Sequence, residues 1–116
     1  AMEITAMETR AAAIPWTFSP VLDAGRQPTW ARFWETFGED TYLTKVMGVS
    51  FVRGTEGTDV SNDKRVASSL KHYVGYGFPF SGRDRTDALI PENVLREHHL
   101  PQFKAAVDAG ARTVMV

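Results

Sequence analysis

The sequence predicts an α/β fold with about three parallel strands and intervening helices. Helical and strand-like patterns alternate along the 116 residues, and this alternation is typical of right-handed βαβ units in a parallel sheet. Two long loops, 23–39 and 75–86, each follow a predicted strand. Barrels and open sheets of this class carry their functional sites in such loops, at the carboxyl ends of the strands. We therefore expect a site where these two loops meet.

The first part of the chain predicts a helix, a strand and the first long loop. Residues 3–13 are good helix formers with an apolar face. Residues 14–22 predict a buried strand, although two prolines weaken the pattern. The loop 23–39 is rich in Gly, Pro and aromatic residues, with a helical turn expected around 33–37. The strand side chains that we expect to be buried are Trp16, Phe18, Val21 and Leu22.

A second helix is predicted over 41–53. Asp40 is suited to cap its amino end, and Gly54 is expected to end it. A polar, turn-rich segment, 54–64, follows the helix. The apolar stripe that should face the core consists of Leu43, Val46, Met47 and Phe51.

The remainder of the chain predicts two more strands and a helical region between them. The strands are expected over 66–74 and 112–116. Helical patterns cover 91–99 and 102–109, and Pro101 between them should break or kink the helix. The side chains expected to be buried in these segments are Val66, Ala67, Leu70, Val74, Phe103 and Val107.

Composition excludes several classes of protein. The 13 basic and 14 acidic residues give a net charge of −1, which indicates neither a nucleic-acid nor a membrane partner. The chain has no Cys, so disulfides and thiolate metal sites are excluded. We find no glycine-rich nucleotide motif and no Gly-x-Ser-x-Gly elbow. The sequence therefore predicts no cofactor.

Lys71 and His72 form the first candidate site, because they close an apolar strand. A cation beside an imidazole can donate hydrogen bonds to neighbouring hydroxyls of one sugar ring. The alternative is a surface Lys next to a His with a structural partner. When the position of the pair at the end of a strand is considered as well, the two interpretations are about equally supported.

The first long loop carries further candidates, namely Arg26, Trp30 and Arg32. A planar guanidinium is suited to bidentate recognition of hydroxyls or carboxylates. The alternative is an ion pair with Glu35 or Glu39 that holds the loop in place. We expect such structural pairing for at least one of the two arginines.

Two charged clusters have simpler explanations. Arg83-Asp84-Arg85 could form a salt-bridged loop or a gate over a site, but such a run is usually a solvated charge cluster. Glu97-His98-His99 contains two potential metal ligands. Adjacent side chains on a helix point about 100° apart, so both imidazoles cannot easily face one ion. We therefore predict no metal site.

Several segments together resemble glycoside hydrolase family 3, in the expected order and spacing and over nearly the whole chain. They are Phe18-Ser-Pro-Val-Leu-Asp23, Gly25-Arg-Gln-Pro-Thr-Trp-Ala-Arg32, Glu35-Thr-Phe-Gly-Glu-Asp-Thr-Tyr-Leu43, Val66-Ala-Ser-Ser-Leu-Lys-His-Tyr-Val-Gly-Tyr-Gly77 and Leu100-Pro-Gln-Phe-Lys-Ala-Ala-Val-Asp-Ala-Gly110.

The resemblance implies a TIM-like barrel followed by an α/β sandwich domain, and retaining hydrolysis of a terminal β-linked sugar. Arg32, Lys71 and His72 match the positions that hold the hydroxyls of the non-reducing sugar in this family. The nucleophile Asp and the acid/base Glu of the family lie outside this chain. Asp23 falls where the family does not place its nucleophile.

Departures from the family pattern refine this expectation. The first loop usually reads Arg-Asp-Pro-Arg-Trp-Gly-Arg, and Gln27 here removes an expected ion-pair partner. The N-acetylglucosaminidase branch has Pro and a second His where this chain has Val74 and Tyr76. The resemblance therefore favours a β-glucosidase or a β-xylosidase.

We expect residues 1–116 to be an internal part of such a barrel domain, inactive by itself, from a parent that hydrolyses terminal β-linked glucose. The implied ligand is a β-glucoside or short oligosaccharide. The open strand edges leave two alternatives, a homo-oligomer or the remainder of the barrel. A non-catalytic half-barrel that self-associates is the alternative function. Relatives are often exported, which is compatible with a periplasmic or secreted parent, but no export signal is visible in this segment and the compartment stays open.

Overall fold

The computed structural model describes residues 1–116 and has an α/β architecture. Three parallel strands form one sheet in the order β1-β2-β3, which confirms the predicted fold class. None of the helices is long and apolar enough to cross a membrane. The strands are β1 (Trp16–Thr17), β2 (Ala67–Leu70) and β3 (Thr113–Val114), and the helices are α1 (Met2–Ala11), α2 (Thr41–Glu56), α3 (Glu92–Val94) and α4 (Pro101–Asp108).

Helix α2 begins as predicted and ends later than predicted. The Asp40 carboxylate accepts a hydrogen bond of 2.6 Å from the Leu43 amide, which caps the helix. The helix continues through Gly54 and ends at Gly57, whose φ of +63° suits glycine. A Cβ at Gly54 would lie 2.6 Å from the Met2 side chain. This glycine therefore serves close packing against α1 and does not end the helix.

The buried face of α2 differs from the predicted apolar stripe. Its buried residues are small or polar, and three of the four predicted stripe residues are more than 40% exposed. Gly48 lets the helix approach Leu22, since a Cβ there would lie 2.7 Å from the Leu22 side chain. The Thr55 hydroxyl shares a 2.7 Å hydrogen bond with Ser68 of β2. The buried positions are Thr44, Gly48, Val52, Thr55 and Glu56.

The predicted buried strand over 14–22 is shorter and more exposed in the structure. Trp16 is 47% and Phe18 55% exposed, because the helices cover only one face of the sheet. The carbonyls of Pro15 and Pro20 accept bonds from β2 and from Lys71. Proline has no amide N–H to donate, so the regular ladder stays short. Val21 and Leu22 are buried as predicted.

The core lies between the sheet and the helices on its covered face. Its buried cluster consists of Leu22, Val52, Leu70, Phe103 and Ala106. Val107, which was expected to be buried, is 49% exposed. Strands β2 and β3 are also shorter than the predicted ranges 66–74 and 112–116.

The helical region before β3 is kinked at the predicted place. A short α3 leads into a π-helical turn over Leu95–His99, and Pro101 is the first residue of α4. The Leu100 amide donates to the Leu95 carbonyl at 3.0 Å. The wide turn accommodates a proline, because proline has no N–H to contribute to the helix.

Replacing Leu70 by Ala tests the position of the core. Leu70 is fully buried, so Leu70→Ala should lower the free energy of unfolding by about 2–5 kcal/mol. Leu89→Ala is the matched control, because Leu89 is 64% exposed in a loop. Urea unfolding of the purified protein measures both changes. Equal midpoints for the two variants would contradict this core assignment.

Candidate functional site

The loops that follow β1 and β2 interlock at the carboxyl end of the sheet. The Gln27 amide donates to the Pro79 carbonyl at 3.2 Å, and the Trp30 indole donates to Asp84 at 2.8 Å. Gln27, the departure from the family pattern, thus joins the loops by an uncharged hydrogen bond. Thr29 lies directly against Gly82, where a side chain would have no room. These contacts fix the loops relative to each other.

Asp23 lies beneath this junction and is 3% exposed. Its Oδ2 accepts a hydrogen bond of 3.1 Å from the His72 amide, and its Oδ1 accepts one of 2.9 Å from the Gly77 amide. Oδ2 also lies 2.8 Å from Nδ1 of the His72 ring. A buried carboxylate needs such donors to offset the loss of water. Asp23 therefore holds the end of β2 and its loop in place.

The orientation of the His72 ring follows from this contact. Carboxylate oxygens only accept hydrogen bonds, so Nδ1 must be the protonated nitrogen that donates to Asp23. The Tyr76 ring lies 4.5 Å from the imidazole, centroid to centroid, and packs edge-on against Trp30 at 5.5 Å. With Nδ1 engaged and the ring fixed, Nε2 is the atom left for a ligand.

Arg32 forms a two-pronged ion pair with Glu35. Its Nε and Nη2 donate to the two carboxylate oxygens at 2.7 and 2.9 Å, which is the structural pairing expected for one of the arginines. The Glu35 hydrogen bond raises the pKa of Arg32. The hydrogen bond from Arg32 lowers the pKa of Glu35, and the charges of Lys71 and His72 lower it further.

Lys71 is the basic side chain at the site without an ion-pair partner, since none of the eight ion pairs includes it. Its backbone is fixed by two hydrogen bonds. The Lys71 amide donates to the Pro20 carbonyl at 3.0 Å, and the Leu22 amide donates to the Lys71 carbonyl at 2.6 Å. The structure thus links two of the predicted residues through Tyr76, whose ring lies beside both His72 and Arg32. The three predicted site residues share one end of the sheet.

The remaining charged candidates lie elsewhere or act within the loops. Arg26 is exposed and lines a shallow cavity of 370 Å³ with His98. Arg85 is exposed and lies 4.0 Å from Asp84. The hydrogen bond from Trp30 lowers the pKa of Asp84. Trp30 and Asp84 therefore have a structural role in joining the loops.

The two adjacent histidines lie in different environments, as their helical spacing predicts. His98 faces Glu97 at 3.9 Å, whereas His99 is 2% exposed and packs near Phe78. Burial lowers the pKa of His99. The structure contains no group of three or more His, Cys, Asp or Glu residues arranged to hold a metal.

Sequence reasoning missed the positioning role of Asp23 and the packing role of Tyr76. Asp23 was considered only as a nucleophile, although its place directly after the first strand could have indicated the end of the sheet. Tyr76 was considered only as a departure from another branch of the family. Its three partners, His72, Trp30 and Arg32, come from both loops. No local sequence pattern reveals that arrangement.

Parallel strands with polar side chains in the loops at their carboxyl ends are typical of the α/β class, in barrels and in open sheets. Within that class, the chain belongs to glycosyl hydrolase family 3. The model of the family's N-terminal domain matches residues 1–116. This match confirms the resemblance found in the sequence.

Named relatives give the same assignment. The chain is 48% identical to a lysosomal beta glucosidase of Dictyostelium discoideum and 34% identical to a periplasmic beta-glucosidase of Salmonella typhimurium. These alignments cover 100% and 97% of this chain and 15% of each relative. A beta-xylosidase of Formosa agariphila is 38% identical over 96% of this chain and 16% of its own length. The chain therefore spans about 15% of the length of the first two relatives.

Solved structures agree with this fold. A beta-glucosidase from Listeria innocua is 33% identical and superimposes with a TM-score of 0.92, over 97% of this chain and 16% of that one. A mutant of the same enzyme has been solved in complex with laminaribiose. The parallel strands and helices of this chain therefore correspond to part of the barrel domain of such enzymes.

Replacing Asp23 by Asn tests its role as a structural centre. Both carboxylate oxygens accept from a backbone amide, so either orientation of an Asn amide would set its NH₂ group against an N–H. We expect Asp23→Asn to lower the free energy of unfolding by about 1–3 kcal/mol. Thermal and urea unfolding measure the loss.

The control for this change is Asp63→Asn, because Asp63 is exposed. Its substitution should leave the unfolding midpoint nearly unchanged. An Asp23→Asn protein as stable as the Asp63→Asn protein would show that the buried hydrogen bonds contribute nothing.

Proposed function

We propose that this chain forms part of a retaining glycoside hydrolase that removes terminal, non-reducing β-linked glucose, and that Arg32, Lys71 and His72 bind hydroxyls of that sugar. The observation that carries the proposal is that these three side chains lie at the carboxyl end of the sheet, where the Tyr76 ring lies beside both His72 and Arg32. Membership of glycosyl hydrolase family 3 supports the same reaction class.

The charges at this site favour a neutral, polyhydroxylated ligand. Each of two basic side chains already has a carboxylate beside it, Glu35 for Arg32 and Asp23 for His72. The cluster therefore presents several hydrogen-bond donors with little excess positive charge. Donors of this kind suit sugar hydroxyls, whereas an anion would require more uncompensated positive charge.

A retaining reaction needs two further carboxyl groups, about 5–5.5 Å apart, as nucleophile and acid/base. The carboxylates at this site are already engaged. Asp23 contacts three nitrogens, Glu35 accepts two bonds from Arg32, and Asp84 accepts one from Trp30. We propose that both reacting carboxyl groups come from parts of the parent protein outside residues 1–116.

Hydrolysis of 4-nitrophenyl β-glucoside by the full-length parent tests the proposed reaction, and NMR of the first-formed anomer tests retention. Lys71→Met should lower kcat/KM about tenfold to a hundredfold, because it removes hydrogen bonds from a charged donor. Lys45→Met, at an exposed position of α2, is the control and should keep full activity. Equal activities of the two variants would contradict a role for Lys71.

The same assay distinguishes the second candidate, a β-xylosidase, which the Formosa agariphila relative favours. The two candidates differ in which sugar the enzyme prefers. A higher kcat/KM for 4-nitrophenyl β-xyloside than for the β-glucoside would replace glucose by xylose in the proposal.

The isolated 116-residue chain should show no turnover of 4-nitrophenyl β-glucoside, because its site carboxylates are all held by other residues. The full-length parent assayed beside it is the positive control. Multi-turnover hydrolysis by the isolated chain would show that these residues contain the reacting groups.

Light scattering on the same sample addresses the alternative of a self-associating half-barrel. That alternative is favoured by the exposed Trp16 and Phe18 on the uncovered sheet face and by the unpaired outer edges of β1 and β3. A monomeric, folded chain would argue against it.

A further inference from the structure

We propose that Glu35 is a positioning residue for sugar recognition, holding Arg32 so that the remaining donors of its guanidinium meet one particular hydroxyl. The inference rests on the proposed function and assigns to Glu35 a role beyond an ion pair within its loop. Glu35 does not itself need to touch the sugar.

The ion pair uses one edge of the guanidinium and leaves another free. Oε1 and Oε2 of Glu35 accept from Nε and Nη2 of Arg32, at 2.7 and 2.9 Å. A guanidinium carries five N–H donors in a fixed planar fork. With one hydrogen of Nε and one of Nη2 engaged, three donors remain for a ligand, two on Nη1 and one on Nη2, in directions that the carboxylate sets.

The ring of Tyr76 restricts the same guanidinium from another side. The Arg32 Cζ lies 5.9 Å from the centre of the Tyr76 ring. That ring is itself held between the His72 imidazole and the Trp30 indole. A donor held in this way loses little further freedom when a ligand binds, so its bond to a hydroxyl contributes more to binding.

The other charges around Glu35 support a role at the site. The hydrogen bond from Arg32 lowers the pKa of Glu35 most, and the charges of Lys71 and His72 lower it further. A partly exposed ion pair between residues three apart contributes little to folding. A large effect of Glu35 on sugar binding and a small effect on unfolding would therefore separate positioning from loop stability.

The test uses Glu35→Gln, Arg32→Met and the double variant in the full-length protein, with 4-nitrophenyl β-glucoside and its 2-, 3-, 4- and 6-deoxy analogues. Arg32→Met should lower kcat/KM for the glucoside but leave it unchanged for one deoxy analogue. The hydroxyl that this analogue lacks is the one that Arg32 binds. Glu35→Gln should lower kcat/KM about tenfold. Glu35→Gln should not lower kcat/KM for that same analogue. It should also cause no further loss when Arg32→Met is already present.

Glu92→Gln is the control, because Glu92 also pairs with an arginine, Arg96, but at an exposed position and through one carboxylate oxygen. It should leave kcat/KM unchanged for every substrate. Glu35→Asp serves as a second variant if Glu35→Gln does not fold, and it should keep part of the activity.

Two results would overturn the role of Glu35 and leave the proposed function intact. One is an equal loss with Glu35→Gln on all the deoxy analogues, and the other is an effect that adds fully to that of Arg32→Met. Absence of glycoside hydrolysis by the unmodified protein would instead overturn the proposed function, and this inference with it.

Discussion

The buried carboxylate of Asp23 is the constraint on which the rest of the site depends. Its oxygens contact the amides of His72 and Gly77 and the His72 ring. A charge taken out of water requires these donors, so the loop after β1 and the loop after β2 are held together at Asp23. Tyr76 packs on the His72 ring that Asp23 orients. Arg32 lies beside that same Tyr76 ring.

Each of the three carboxylates at this end of the sheet holds a neighbouring side chain. Asp23 orients an imidazole, Glu35 orients a guanidinium, and Asp84 anchors the Trp30 indole. In each case the acidic group engages one side of its partner and leaves another side free. An uncompensated cluster of basic groups would attract anions, whereas these pairs retain directional donors with little net charge. The arrangement suits a ligand that is recognised by the geometry of its hydroxyls.

Periodicity and local signals were sufficient for much of the fold. Alternating patterns predicted the parallel sheet, Asp40 predicted the start of α2, and Pro101 predicted the kink before α4. The buried face of α2 could not be predicted in this way. Gly48 and Thr55 are buried because a helix can approach a strand closely through small side chains. Apolar periodicity contains no information about that approach.

The candidate site, like the fold, could be predicted from the sequence only in part. Arg32, Lys71 and His72 were predicted as sugar-binding residues from motifs of a known family; the structure places them at one end of the sheet, and their role stays a prediction. The positioning role of Asp23 was missed, because it depends on backbone amides far away along the chain. The exposure of Trp16 was also missed, since sequence does not reveal which face of a sheet the available helices cover.

A substitution at Gly48 would affect the site although this glycine lies on α2 and not in the loops that carry the site residues. Leu22 occupies the space that a side chain at Gly48 would need, and Leu22 directly precedes Asp23 in the chain. One added methyl group on α2 would push against the residue next to the buried carboxylate. A side chain at position 48 would therefore displace Leu22 in the buried core and shift the neighbouring Asp23, so the packing of the core and the geometry of the site would change together.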